Sequence, residues 1–202
     1  MSEQGLLDGF APPAAPTDRL FFAFMPDAAA AHAAEALSLK LGGEQGIKPR
    51  AHAKERFHVT LFHVGDFDGL PLQTIGRACK AAEHVQAAPL PIRFDRVTSF
   101  RGAPRRLPVI LLGHDEGGAL DGFHDQLETQ MHRAGLVEPG ARRRFTPHMT
   151  LLYGHQSVPE QAIEPINWVA KEFVLIRSLI GQGRYIVMER WPLLPASEAA
   201  RP

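Results

Sequence analysis

Two short segments of the chain, FHVTL and PHMTL, repeat a His-x-Thr-Leu tetrad that begins at His58 in the first and at His148 in the second. Both segments have the apolar, alternating character of β-strands. Residues two apart in an extended strand share a face, so Thr60 is predicted to lie beside His58, and Thr150 beside His148. Two such strands meeting around a cleft would present two imidazoles and two hydroxyls to one ligand.

This set of side chains suits the cleavage of a phosphodiester. In-line displacement at phosphorus needs a base for the nucleophile and an acid for the leaving oxygen, each contributing on the order of 10²–10⁴ in rate. Histidine, with a reference pKa near ~6.5, can serve in either role at neutral pH. Threonine hydroxyls can donate to the non-bridging oxygens and stabilise their charge. The tetrads therefore predict a phosphoesterase with His58 and His148 as its proton-transfer pair.

The alternative for any one histidine between apolar residues is an ordinary core or surface position. The duplication argues against this alternative, because apolar residues alternate with the polar pair in both tetrads. Val59 and Leu61 in the first tetrad, and Met149 and Leu151 in the second, are predicted to point into the core.

Other catalytic chemistries find less support in the sequence. It contains no HExxH or CxxC pattern for zinc, and no G-x-S-x-G elbow, P-loop or G-x-G-x-x-G turn. His63 follows His58 by five positions, which predicts that the two rings lie on opposite faces of a strand. No ligand set for a divalent metal is therefore expected.

The charge balance requires any phosphate site to be local. Lys+Arg and Asp+Glu both number 22, so the chain lacks the basic excess of proteins that coat nucleic acid. Basic residues nevertheless form three clusters. The cluster before the first tetrad contains Lys48, Arg50, Lys54 and Arg56, the cluster before the second contains Arg142, Arg143 and Arg144, and one predicted turn contains Arg101, Arg105 and Arg106. Either these are solvated loops, or they direct positive potential at a polyanionic substrate such as RNA.

The same composition indicates a soluble, cytoplasmic protein. The one cysteine, Cys79, cannot form an internal disulfide, which fits a reducing compartment. The first residues lack the basic start and apolar run of a signal peptide. No stretch approaches the roughly 20 apolar residues that a membrane-spanning helix requires.

Strand and helix patterns are mixed along the chain. Strands are predicted at 20–25, 57–65, 92–100, 107–113, 148–153, 172–179 and 185–190, and helices at 27–41, 72–86 and 119–134. Hairpin-length connections favour an α+β fold with antiparallel sheet over a doubly wound parallel sheet. Residues 1–17 are predicted to be a disordered tail, followed by one domain over 18–195 and a second tail over 196–202.

The segments RLFFAFMPD, FHVTLFHVGDF, FTPHMTLLYG and FVLIRSLIGQGRYIVMERWPL together resemble the two-histidine (2H) phosphoesterases. They are most similar to the RNA 2′,3′-cyclic phosphodiesterase branch, also called 2′-5′ RNA ligases. The resemblance, over residues 19–193, implies a bilobal fold of two pseudo-symmetric halves, with antiparallel sheets facing a central cleft and helices outside. It also implies a monomer that needs neither a metal nor a cofactor for hydrolysis.

The resemblance also implies roles for particular residues. The family's catalytic histidines fall on His58 and His148, and its phosphate-binding threonines on Thr60 and Thr150. Its aromatic base contact falls on Phe22, for which an ordinary core position is the alternative.

One departure from the family affects substrate binding. Many relatives have an arginine five positions after the second histidine, where this chain has Tyr153. We expect Tyr153 to contact the substrate together with Arg56 and Arg144, the basic residues nearest the two tetrads.

The substrate is expected to be an RNA or nucleotide that carries a 2′,3′-cyclic phosphate. Hydrolysis to a 2′-phosphate is the first expectation, and ligation of 2′-5′ RNA ends at the same site is the alternative within the enzyme class. A non-catalytic module that holds a nucleotide or RNA end is the alternative outside it. The resemblance favours His148 as the base in hydrolysis and His58 as the acid.

Overall fold

The computed structural model describes residues 15–46, 54–101, 103, 106–115, 117–137 and 145–194. The strands are β1 (Asp18–Phe24), β2 (Val59–Phe67), β3 (Leu90–Ser99), β4 (Leu107–Leu112), β5 (His148–Gly154), β6 (Gln161–Ala170), β7 (Glu172–Leu179) and β8 (Arg184–Pro192). The helices are α1 (Ala28–Glu44), α2 (Leu72–Ala82) and α3 (Ala119–Arg133), with a 3₁₀ turn at Lys54–Arg56. Every predicted element is present within a few residues of its expected bounds.

One strand, β6, was not predicted from the sequence. Pro165 stands in its middle, and proline argues against a central strand because it has no N–H for the ladder. The sheet order places β6 at an edge, where only one side of the strand is paired. The edge position explains why the proline is tolerated. It also explains why the proline in this segment wrongly argued against a strand.

The eight strands form one open antiparallel sheet in the order β6-β3-β4-β5-β2-β1-β7-β8. The two central strands, β2 and β5, are joined by a single pairing of Val59 with Met149. We call β2, β1, β7 and β8 the first lobe, and β5, β4, β3 and β6 the second lobe. The predicted bilobal α+β fold is confirmed, and its two antiparallel sheets are continuous through this one pairing.

The helices tie the two lobes together. Asp27 begins α1, because its carboxylate accepts a hydrogen bond from the Ala30 N–H at 2.8 Å. Although α1 follows β1 of the first lobe, it contacts β5 and β6 of the second. Conversely, α3 follows β4 of the second lobe but contacts β2 of the first. Its Phe123 packs against Phe24 and Phe173 of the first lobe, at ring-centroid distances of 4.9 and 5.2 Å. Each lobe is therefore covered by a helix that follows a strand of the other.

The start of β1 is held by a buried ion pair. Asp18, which is 2% exposed, accepts hydrogen bonds from Arg177 Nε on β7 and from the Thr17 hydroxyl. The hydrogen bond from Arg177 is the main reason that the pKa of Asp18 lies below its usual value. Asp18 therefore remains a carboxylate and can bond to both neighbours.

The predicted tails lie largely outside the described residues, so the domain bounds at 18 and 195 stay a prediction. Thr17, at the end of the first tail, donates its N–H to the Phe67 carbonyl at 2.8 Å. Among the described helices, none has the length and apolar character needed to span a membrane.

Candidate active site

A cleft of about 250 Å³ lies where the two lobes meet. The main core lies between the sheet and the three helices, whereas Phe21, Ala23, Val174 and Ile176 form a smaller apolar cluster in the first lobe. The residues that line the cleft come from both lobes: Arg19, Phe21, Arg56, His58, Thr60, His63, His148, Thr150, Tyr153 and Tyr185.

Both His-x-Thr-Leu tetrads reach this cleft. The residues predicted to be apolar anchors are buried: Val59, Leu61, Met149 and Leu151 are each at most 2% exposed. Because Val59 pairs with Met149 in antiparallel register, Thr60 stands across from His148 on the neighbouring strand. The pairing relates β2 and β5 by a local two-fold axis, and the His and Thr side chains of both tetrads lie close together around it.

A β-bulge follows the threonine in each tetrad. On β2 the register moves from Phe62 to Thr60 and leaves Leu61 as the extra residue, and on β5 it moves from Leu152 to Thr150 and leaves Leu151. A bulge reverses the alternation of side chains beyond it. The residue five positions after each histidine therefore returns to the cleft face.

The bulge on β2 corrects one prediction. His63 was expected on the face opposite His58, yet both rings line the cleft, because Leu61 shifts the alternation. The equivalent position of the second lobe is Tyr153, which also lines the cleft. The repeated spacing of five residues was the signal in the sequence that could have identified His63.

The two catalytic candidates are oriented in the same way. Nδ1 of His58 lies 2.7 Å from the Arg56 carbonyl oxygen, and Nδ1 of His148 lies 2.7 Å from the Thr146 carbonyl oxygen. A carbonyl can only accept a hydrogen bond, so Nδ1 carries the proton in both rings. Nε2 is therefore the nitrogen through which each ring can gain or lose a proton.

Aromatic rings restrict the two imidazoles differently. The ring of His58 lies 4.9 Å from Phe21 and 5.4 Å from Tyr185, between centroids. The ring of His148 has an edge contact with Phe100 at 5.0 Å. These contacts limit rotation of both rings and keep Nε2 in place.

The expected base contact, Phe22, does not line the cleft. Its side chain is fully buried and packs against Phe173 and Trp191 at centroid distances of 6.1 and 5.6 Å. The placement of Phe22 at the substrate was therefore wrong, and the ordinary core position is correct. The aromatic ring of β1 that lines the cleft is the neighbouring Phe21, because adjacent residues of a strand face opposite sides.

Arg56 lines the cleft, and its guanidinium lies 4.8 Å above the ring centroid of Tyr185. Its Nε is buried without a hydrogen-bond acceptor. In the part of the chain that the structure describes, no carboxylate lies within ion-pair distance of Arg56. Its charge is thus available to an anion in the cleft.

The second lobe places an arginine beside Tyr153. This tyrosine is 43% exposed, and the Arg106 guanidinium lies 5.0 Å from its ring centroid. Arg144, the other expected substrate contact, lies outside the described residues, as do Lys48, Arg50, Arg105, Arg142 and Arg143. Lys54 is paired with Glu35 at 3.1 Å and does not line the cleft.

His63 belongs to a network of charged groups. Its Nε2 lies 3.0 Å from Asp66 Oδ1, and Arg19 binds both oxygens of the same carboxylate at 2.7 and 2.6 Å. The hydrogen bond from Arg19 is the largest cause that lowers the pKa of Asp66 to about 2. Asp66 is therefore an anion at every physiological pH and holds His63 through its Nε2–H.

The described lining of the cleft contains no group of three candidate metal ligands whose ligand atoms lie close together. It contains three histidines but no carboxylate or thiol. Within the described ranges, one group of three candidate ligands has its ligand atoms within 4.8 Å of one another. It lies on α3 and consists of His124, Asp125 and Glu128. The three histidines of the cleft therefore do not converge on a common point.

Solved structures with the same fold support the bilobal architecture. The protein TT0787 of Thermus thermophilus superposes with a TM-score of 0.68 at 23% identity, over 87% of this chain and 97% of that one. Escherichia coli LigT superposes with a TM-score of 0.63 at 22% identity, over 90% of this chain and all of that one. LigT complexed with 3′-AMP gives 0.64 at 22% identity, over 88% and 99% of the two chains. No curated protein sequence matches the chain significantly.

The sequence itself matches a family. The 2′-5′ RNA ligase superfamily model covers residues 21–179, a span that begins in β1, includes both tetrads and ends in β7. The chain belongs to the 2′-5′ RNA ligase superfamily.

Proposed function

We propose that this protein hydrolyses 2′,3′-cyclic phosphate ends of RNA or nucleotides to 2′-phosphates, with His58 and His148 as the acid–base pair. The observation that carries the proposal is the duplicated, identically oriented His and Thr pair around one cleft. Membership of a superfamily named for 2′-5′ RNA ligases supports an enzyme that acts on RNA ends. The complex of LigT with 3′-AMP supports a nucleotide as the ligand class.

The proposed reaction needs one neutral and one protonated imidazole. Nε2 of the neutral histidine takes a proton from water, whose oxygen attacks phosphorus in line with the 3′ oxygen. The phosphorus–O3′ bond breaks, and the protonated histidine donates its Nε2 proton to O3′. The phosphate then remains on the 2′ oxygen, and the two histidines exchange protonation states.

The remaining polar groups of the cleft would stabilise the phosphorane-like transition state. Thr60 and Thr150 can each donate a hydroxyl hydrogen bond to a non-bridging oxygen, and Arg56 adds a positive charge that no described carboxylate neutralises. The partly buried Tyr185 offers aromatic surface beside His58 for the sugar or base, and the buried Phe21 supports the His58 ring.

The proposal includes catalysis without a metal. Two imidazoles supply the proton transfers that a metal-bound water would otherwise provide, and the described lining has no carboxylate to bind a divalent ion. Both tetrads line the cleft within a single chain, which supports action as a monomer. The single cysteine is consistent with a reducing, cytoplasmic environment.

The decisive experiment uses purified protein and an RNA oligonucleotide that ends in a 2′,3′-cyclic phosphate, with EDTA in the reaction. We expect a product with a 2′-phosphate, identified by its resistance to a 3′-specific phosphatase and by nuclear magnetic resonance of the terminal nucleotide. Activity that is lost in EDTA and restored by one added ion would exclude the metal-free mechanism. A 3′-phosphate product would mean that the substrate binds in the opposite direction.

Ligation is the second candidate, favoured by the superfamily to which the chain belongs. The same groups could deprotonate the 5′-hydroxyl of a second RNA in place of water, which would give a 2′-5′ phosphodiester. Adding a 5′-hydroxyl oligonucleotide to the same reaction measures the partition between the two outcomes. If RNA binds but neither product forms, the non-catalytic alternative replaces both.

A further inference from the structure

The first lobe contains a histidine in the cleft that the proposed acid–base reaction does not use. His63 lines the cleft because of the bulge at Leu61, and its position on β2 corresponds to Tyr153 on β5. The ring is oriented by Asp66, and Asp66 is in turn held by Arg19. A side chain fixed through two successive partners is suited to a specific contact with a ligand.

The charges of this network are compatible with an anionic ligand. Arg19, which also lines the cleft, balances the charge of Asp66, so the pair adds no net negative charge beside a bound anion. Nε2 is bonded to Asp66 at 3.0 Å, and a phosphate oxygen at Nδ1 would bind to the ring form in which that nitrogen carries a proton and donates. No carboxylate is among the described lining residues that could repel an anion there.

The spacing along β2 fits a second phosphate. Cleft-facing positions of a strand recur about every 6.6 Å, and the bulge makes His63 the next such position after Thr60. The scissile phosphate already has the two threonines and two histidines. An anion at His63 would therefore be a neighbouring group of the same substrate, about one nucleotide away.

We infer that His63, held by Asp66 and Arg19, binds a second phosphate group of the substrate, next to the phosphate that is cleaved. The inference rests on the proposed function and specifies its substrate class as nucleotides with an additional phosphate. That phosphate comes either from the preceding linkage of an RNA chain or from the 5′-phosphate of the terminal nucleotide. At the corresponding position of the second lobe, Tyr153 has a phenol in place of an imidazole.

Three substrates test the inference and separate the two sources. They are a nucleoside 2′,3′-cyclic phosphate, the same compound with a 5′-phosphate, and a dinucleotide that ends in the cyclic phosphate. We expect one or both of the last two to have a kcat/KM about tenfold above the first, mainly through a lower KM. His63→Gln should remove most of this ratio, while the exposed His84→Gln, outside the cleft, should retain it.

A binding measurement keeps the inference testable without turnover. Calorimetric titration compares a nucleoside 2′,5′-bisphosphate with the 2′-monophosphate for the native protein, His63→Gln and Asp66→Asn, after circular dichroism shows that each variant is folded. The subsite is supported if the native protein binds the bisphosphate more tightly than the monophosphate and both variants lose this preference. This result would stand even if no substrate is hydrolysed and the proposed function fails. The subsite is overturned, and the proposed function left intact, if the native protein binds both ligands equally or if His63→Gln weakens the binding of both ligands by the same factor.

Discussion

The two lobes are alike where their tetrads meet at the cleft. Each has a histidine whose Nδ1 donates to a carbonyl two residues earlier, at 2.7 Å in both cases. Each places a threonine on the same face, followed by a bulge at the tetrad's leucine. The shared features are those that set the position and tautomer of the imidazole, as the two proton transfers of the proposed reaction require.

The lobes differ in what surrounds the tetrads. In the first lobe, Arg56 stacks on Tyr185 and His63 joins a charged network, whereas in the second lobe Tyr153 lies beside Arg106. A phosphodiester is nearly symmetric at phosphorus, but the two groups that it joins are not. Two equivalent histidines can each either donate or accept a proton, while the different residues around them allow the substrate to bind in one orientation.

Loss of either histidine should have the largest effect. His58→Ala and His148→Ala are each expected to lower kcat by about 10²–10⁴ on a cyclic-phosphate RNA end, and the double variant should lose little more because the rings act as a pair. Single-turnover rates measure this, with His84→Ala as the control. A near-native rate in either single variant would contradict the equivalence of the lobes.

Loss of either threonine hydroxyl should have the next largest effect. Thr60→Val and Thr150→Val keep the side-chain shape but remove one hydrogen bond to the phosphoryl oxygens, and we expect a decrease in kcat of about 10² for each. Thr98→Val, on β3 outside the cleft, is the matched control. If one of the two variants kept a near-native kcat, the threonine of only one lobe would stabilise the phosphoryl oxygens.

The two stacked arginines should contribute unequally. Arg56→Gln removes a partly buried charge from the cleft lining and is expected to raise KM about tenfold. Arg106→Gln changes an exposed residue that stacks on Tyr153 and is not among the described lining residues of the cleft, so its effect on KM should stay below about threefold. A reversal of this order would assign anion recognition to the second lobe.

The smallest expected effect concerns acid stability. The pKa of Asp66 is lowered from 3.8 to about 2 in the folded state, so the ionised carboxylate stabilises the fold. This contribution is complete above about pH 4 and disappears as the pH falls towards 2. Asp66→Asn should lower the free energy of unfolding at about pH 7 by less than about 1 kcal/mol.

Urea unfolding at several pH values checks this last prediction. The difference between the native protein and Asp66→Asn should narrow as the pH falls from about 4 to about 2, since protonation removes the same charge that the substitution removes. A difference that widened in acid would mean that the carboxylate is not held by Arg19 and His63 in solution.

The sequence by itself determined every helix and strand except β6, and the arrangement of side chains within each tetrad. Alternation of polar and apolar residues was enough to place His58 and Thr60 on one face of a strand, with Val59 and Leu61 in the core, and the duplication identified the second set. These features depend on the period of two of a β-strand and on local burial, and both can be read from neighbouring residues.

The tertiary structure alone decided the rest. The bulges at Leu61 and Leu151 depend on pairing with β1 and β4, and they bring His63 to the cleft against the alternation predicted for a regular strand. The choice of Phe21 over Phe22 depends on which face of β1 the helices cover, and β6 forms despite Pro165 because it lies at an edge. Register and the side on which helices pack are set by contacts between residues far apart in the chain, so the alternation within a single strand does not predict them.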